Sequence, residues 1–179
     1  MVTGDGAYIK KINRSLLLQK IIENRMISRA ELSKQTGLNK ATVSVQVLDL
    51  LNDKLITETQ QEHHTIGRRP IMLSINGGAG YVLGIDLDYP LTRFTVTDIA
   101  GNPIEENHLY LVTDCYENII EILVEQIRTY QEKYSNSVYG LINAVIGIHG
   151  TVNNDEMINF VQKFTWHKKE KNCVLFEQS

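Results

Sequence analysis

The chain has 179 residues, 42% of them hydrophobic and 22% charged, with a formal net charge of −3. That length fits one ordinary domain or two small ones, the composition reads as soluble and globular, and no run approaches the roughly 18 uninterrupted apolar residues of a membrane span. The two cysteines, Cys115 and Cys173, lie far apart and in no CxxC or Cys/His cluster, so no metal, cofactor or redox centre is expected and a reduced cytoplasm is the expected setting.

The opening MVTGDGAYIKKINRS has no apolar run before a cleavage-like site, so no signal peptide is expected. Charge is uneven along the chain. Residues 1–76 hold 11 Lys/Arg against 7 Asp/Glu, a net of +4, and residues 77–179 hold 7 against 14, a net of −7. A basic first part beside an acidic second part predicts that only the first meets a polyanion.

Helical periodicity begins near Lys11, with Ile12, Leu16, Leu17 and Ile21 forming one expected core stripe. Ser28, three residues before Glu31, has capping-box spacing and opens a second helix that should run to about Thr36 and stop at Gly37. Asn39 is a good N-cap for a third helix over residues 40–52, with Val43, Val47, Leu50 and Leu51 inward. Two short strands follow, over 55–59 and 71–75, separated by the polar, basic stretch QQEHHTIGRRP. Asn76-Gly77-Gly78-Ala79-Gly80 reads as a linker.

These spacings suit a winged helix-turn-helix. Such a motif needs a small residue where its helices touch, a glycine in the turn and a branched apolar residue on the second helix. Ser33, Gly37 and Val43 stand four and then six residues apart, as required, although alanine is more usual at the first position. The third helix would then enter a major groove. Lys40 and Gln46 could donate to base edges, Ala41 and Val45 could meet a thymine methyl, and Arg29, Asn39, Thr42 and Ser44 are better placed for phosphate. Arg68 and Arg69, stiffened by Pro70, could enter a minor groove from the wing. The plain alternatives are a helical bundle with a polar face and a solvated basic turn. His63 and His64, adjacent on a polar loop, read as solvated rather than metal-binding.

The second part changes character. Residues 81–87 form an apolar run, 93–99 alternate, Gly101-Asn102 suits a hairpin turn, and a third strand is expected near 108–112. Residues 118–134 are an amphipathic helix with Ile119, Ile122, Leu123, Ile127 and Tyr130 on one face, and 141–148 are a buried strand. Strand, strand, strand, helix, strand is an α/β pattern.

ISRAELSKQTGLNKATVS followed by GRRPIMLSIN resembles the N-terminal DNA-binding domain of ROK-family repressors (repressors, open reading frames and sugar kinases). GYVLGIDL, FTVTDIAGNPI and VIGIHGTV resemble the beginning of a ROK sugar-binding domain, so that the likeness covers about residues 5–166. The resemblance implies an α+β winged helix-turn-helix over 1–76 followed by a partial α/β actin-like ATPase (ROK) domain over 77–179. It implies a repressor that binds a double-stranded DNA operator and answers to a sugar effector, with xylose as the sugar. Full-length relatives of this kind form homo-oligomers. A DNA-binding module that no longer senses a sugar is the alternative; a degenerate sugar kinase is a weaker one.

Departures from the family pattern matter. The kinases carry a D-x-G-x-T phosphate loop; here Asp86 is present but Asp88 stands in the glycine's place, where a carboxylate would repel phosphate, so no catalytic residue is expected. Gly147, His149 and Gly150 stand where the family has a Gly-x-Pro-Gly turn, and Trp166 matches a tryptophan near the sugar; these four are the implied sugar-binding residues. The family's ExGH and zinc motifs are missing, and HKKEKNCVLFEQS leaves the pattern, as a frameshift or premature stop would. Such a truncation should leave the sheet of the second part with an uncovered apolar face and make that part self-associate.

Overall fold

The computed structural model describes residues 6–60, 70–152 and 158–161. The chain divides into two compact units, Met1–Gly77 and Gly78–Ser179.

In the first unit α1 (Gly6–Asn24) leads into a two-residue strand β1 (Ile27–Ser28), then α2 (Arg29–Thr36), α3 (Lys40–Asn52), β2 (Ile56–Gln60) and β3 (Ile71–Ile75). The strands form an antiparallel sheet in the order β1-β3-β2. Leu17 and Ile21 of α1, Leu32 of α2 and Val43, Val47 and Leu50 of α3 meet Ile27, Ile56 and Leu73 from the sheet in one buried cluster. Leu18 packs at its edge. The expected α1 stripe is corrected at Ile12, which is 48% exposed. Five residues make 1.4 helical turns, so with Leu17 inward Ile12 points about 140° away. Lys10 and Arg14 instead tie α1 to α3, at 2.7 Å from Asp49 and 2.5 Å from Asp53.

The second unit is a four-stranded sheet in the order β6-β5-β4-β7, built from β4 (Tyr81–Leu87), β5 (Leu91–Asp98), β6 (Pro103–Tyr110) and β7 (Leu141–Ile148). β4 runs parallel to β7 and antiparallel to β5. Between β6 and β7 lies α4 (Tyr116–Lys133), whose Ile119, Leu123 and Tyr130 cover Leu83, Ile85, Leu87, Phe94 and Val96. A short antiparallel pair, β8 (Gly150–Val152) and β9 (Ile158–Val161), follows.

Two expectations need correction here. The third strand begins at Pro103, not near 108, because the turn is tight. Gly101 takes φ 84°, and the Asp98 carboxylate accepts from the Asn102 backbone N–H at 2.8 Å and the Asn102 amide at 2.9 Å, so pairing resumes at once. The polar run EENH lies inside this strand, where Glu105 and Asn107 bond residues of α4 and its C-terminal cap. Lys133 and Tyr134 donate to Glu105, and Asn107 donates to the Tyr130 hydroxyl at 3.0 Å. Nor are residues 76–80 a plain linker. Residues Gly77–Ala79 form a 3-10 turn, Ala79 is fully buried, and the carbonyls of Ala79 and Gly80 accept from Tyr139 and Ile99. A Cβ at Gly80 would lie 2.6 Å from the tip of the Ile142 side chain, which would have to turn aside to admit it.

Candidate nucleic-acid interface

The α2–turn–α3 segment is fixed by its own polar side chains. Ser28 caps α2, its hydroxyl accepting from the Glu31 backbone N–H at 3.2 Å. Gly37 ends the helix at φ 71°, the left-handed region where a side chain is costly, and its N–H donates to the Ser33 carbonyl. Ser33 also donates through its hydroxyl to the Leu38 carbonyl at 2.7 Å, which bridges the turn. Here serine does something that the more usual alanine cannot. Asn39 then caps α3, its Oδ1 accepting from Thr42 N–H at 2.8 Å.

α3 has three distinct sides. Val43, Val47 and Leu50 face the core. Asp49 and Asp53 face α1 and are neutralised by Lys10 and Arg14. Lys40, Ala41, Ser44, Val45 and Leu48 are exposed, and Thr42 is half-buried. Among the described residues Lys40 has no ion-pair partner, while Arg29 at the start of α2 lies 2.5 Å from Glu58 of β2.

Gln46 is the correction. It was expected on a flank of α3 within reach of a base edge, and it is 5% exposed. Position 46 lies one turn before Asp49 and Leu50, on the side where α3 meets α1 and the core, and no spacing within α3 signals a buried glutamine there. Leu48, which sequence reasoning passed over, belongs instead to the outer face. Its signal was present: 41, 45 and 48 are spaced i, i+4, i+7. Arg68, Arg69, His63 and His64 lie outside the described residues.

Of the implied sugar-binding residues, Gly147 is the penultimate residue of β7, His149 follows the strand and Gly150 opens β8; Trp166 lies outside the described residues. His149 Nε2 stands 3.1 Å from Asp86 Oδ1. The parallel register, which sets Asp86 opposite Gly147, brings together two residues far apart in sequence. Asp88 Oδ1 accepts from the Tyr89 backbone N–H at 2.9 Å, and Thr92 donates to the Asp88 carbonyl. Cys115 is exposed at the start of α4, its thiol donating to Glu117 at 3.0 Å and holding that carboxyl below the usual range.

No protein-family model matches the chain. It is 38% identical over 178 residues to the xylose repressor of Bacillus spizizenii, an alignment covering 99% of this chain and 46% of that protein. The xylose repressor of Bacillus subtilis is 37% identical over 166 residues, or 93% and 43%. The crystal structure of a ROK-family transcriptional regulator, a homologue of the E. coli MLC protein, superposes with a TM-score of 0.64 at 21% identity, over 89% of this chain and 41% of that one. The chain belongs to the ROK family. Within it, its sequence is similar to those of xylose repressors. The chain spans about half the length of the curated relatives it matches.

Proposed function

We propose that this chain is the DNA-binding part and the first portion of the effector part of a sugar-responsive transcriptional repressor. On this reading residues 1–76 are a winged helix-turn-helix, α3 is the helix that enters the major groove, and β2 and β3 carry the wing. Residues 77–179 are the first part of a ROK sugar-binding domain of actin-like fold. One observation carries the reading: α2, the left-handed Gly37 and α3 form a rigid corner whose outer side, from Lys40 to Leu48, is open. The net charge of +4 over residues 1–76 suits a polyanion.

Lys40, Ala41 and Val45 face the groove. Asn39, Thr42 and Ser44 on α3 and Arg29 stand at the phosphates, and Arg68 and Arg69 reach a minor groove. Xylose is the effector suggested by the names of the relatives, with Gly147, His149, Gly150 and Trp166 on its site. The chain is not an enzyme on this reading, because Asp88 sets a carboxylate where ATP phosphates would lie.

The test is binding of the full chain to duplex DNA, followed by fluorescence anisotropy across a salt series. Neutralising four phosphates gives a slope of about −3.6 in log K against log salt. Lys40→Ala should weaken specific binding by roughly 1–3 kcal/mol. Binding indifferent to salt between about 50 and 200 mM would overturn the reading.

A further inference from the structure

The outer face of α3 has few polar readers. Hydrogen-bonded readout of a base edge needs a side chain free to leave the protein, most often Arg, Lys, Asn or Gln. Gln46 is buried. Asn39 is held by its cap bond to Thr42 N–H. Ser44 donates its hydroxyl hydrogen to the Lys40 carbonyl at 2.8 Å, inside the helix. Lys40 alone remains.

What occupies the face is apolar. Ala41, Val45 and Leu48 stand at i, i+4 and i+7 and form a stripe opposite the core stripe of Val43, Val47 and Leu50. Val45 is 55% and Leu48 54% exposed. A surface helix ordinarily has one apolar stripe; α3 has two, and among the described residues only one is covered. A DNA major groove is lined with polar edges and offers a side chain one apolar group, the C5 methyl of thymine. From Ala41 to Leu48 the helix rises about 10 Å at 1.5 Å per residue. Successive bases of one strand lie about 3.4 Å apart. The stripe therefore matches three consecutive base-pair steps.

We propose that α3 reads its operator by methyl contact: Ala41, Val45 and Leu48 pack on clustered thymines of one half-site, and Lys40 makes the polar contact. The ligand class is duplex DNA with thymine runs facing the major groove. This rests on the DNA-binding reading above and adds the chemistry by which sequence is chosen.

Deoxyuridine tests it, because it pairs as thymidine does and lacks only the methyl. Duplexes bound by the full chain are selected from a random pool, and the best is remade with deoxyuridine at each thymine singly and at all together. Burying one methyl corresponds to about fourfold in affinity. Each contacted thymine should therefore lose about that factor, and full replacement tens of fold, with the salt slope unchanged. Val45→Ala and Leu48→Ala should each flatten the thymine/uracil ratio at one position. Equal affinity for both forms overturns the proposal and leaves DNA binding standing. So does an unchanged ratio in both variants with altered self-association in sedimentation, which would make the face a protein contact. Absence of salt-dependent binding to any duplex removes the underlying reading, and the proposal with it.

Discussion

Replacing Gln46 by methionine should stabilise the first unit and leave its choice of DNA unchanged. Gln46 is almost wholly buried, and among the described residues its Oε1 accepts no hydrogen bond. An unmet buried carbonyl costs about 1–3 kcal/mol. Methionine is also unbranched, has similar volume and helix propensity, and fills irregular space. Any bond that the amide nitrogen makes would be lost, at about 0.5–1.5 kcal/mol. The difference leaves a net gain of about 1 kcal/mol, or roughly fivefold in the opening equilibrium. Native-state amide exchange read by mass spectrometry on peptides spanning residues 40–52 measures this directly, and exchange should slow by about that factor. DNA affinity and base preference should stay within experimental error. Faster exchange would show that the amide is fully satisfied where it lies. A lost preference for the selected duplex would show that Gln46 turns outward and reads a base, which would undo the assignment of α3's faces.

Three further outcomes follow from individual residues. Gly37→Ala should cost about 1–2 kcal/mol in urea unfolding; a built side chain meets nothing within 4 Å, so the cost is backbone strain alone, and an unchanged midpoint would contradict the φ of 71°. Glu58→Gln should release Arg29, tighten DNA binding at low salt and steepen the salt slope by about 0.9; an unchanged slope would mean that Arg29 meets no phosphate. Burial raises the Glu105 carboxyl, but bonds from Lys133 and Tyr134 outweigh it and hold its pKa below the ordinary value. Its contribution is therefore full above the usual carboxylate range and lost as pH falls through the lowered value. The melting temperature of the wild-type chain should drop more between about pH 5 and pH 3 than that of Glu105→Gln, and parallel declines would exclude the pair as a source of acid sensitivity.

Much of the first unit was legible because its signals are local. Ser28, Gly37 and Asn39 each act within three or four residues of themselves, and the helix ends they predict stand where they were expected. Leu17 and Ile21 read correctly because adjacent turns share a face; Ile12 failed because stripe membership depends on angle as well as apolarity. β1 has two residues, too few to show any alternation, and exists because Ile27 and Ser28 pair with Leu73 and Met72 far along the chain. Gln46 was misread for a similar reason. Its burial depends on where α1 lies, which no spacing within α3 records. The Asp86–His149 contact likewise waits on the β4–β7 register. Local chemistry predicted caps and turns, and tertiary neighbours decided which polar side chains stay available.

The sheet of the second unit shows how far the same distinction reaches. Read as a buried α/β sheet, it should have had apolar residues on both faces and an exposed sticky one. Residues α4 does not cover follow from strand alternation. They are Val82, Gly84 and Asp86 on β4, Leu91, Arg93, Thr95 and Thr97 on β5, Ile104, Glu106, His108 and Tyr110 on β6, and Asn143, Val145 and Gly147 on β7. Register aligns Gly147, Asp86, Arg93 and His108 in one row across all four strands, and Val145, Gly84, Thr95 and Glu106 in the next. His108 also lies 3.4 Å from Glu106. The first of these rows is polar or glycine throughout and the second holds one exposed valine, while Ile104 and Tyr110 stand exposed on the same side of β6. The run of residues 81–87 looked continuously apolar only because Val82 and Gly84 count as apolar in composition; in the sheet they lie on the face that Asp86 and Arg93 make polar. The middle of this face is therefore polar, and its exposed apolar residues lie toward the β6 edge. Its polar row ends at the Asp86–His149 contact, at the C-terminal ends of the one parallel strand pair among the described residues.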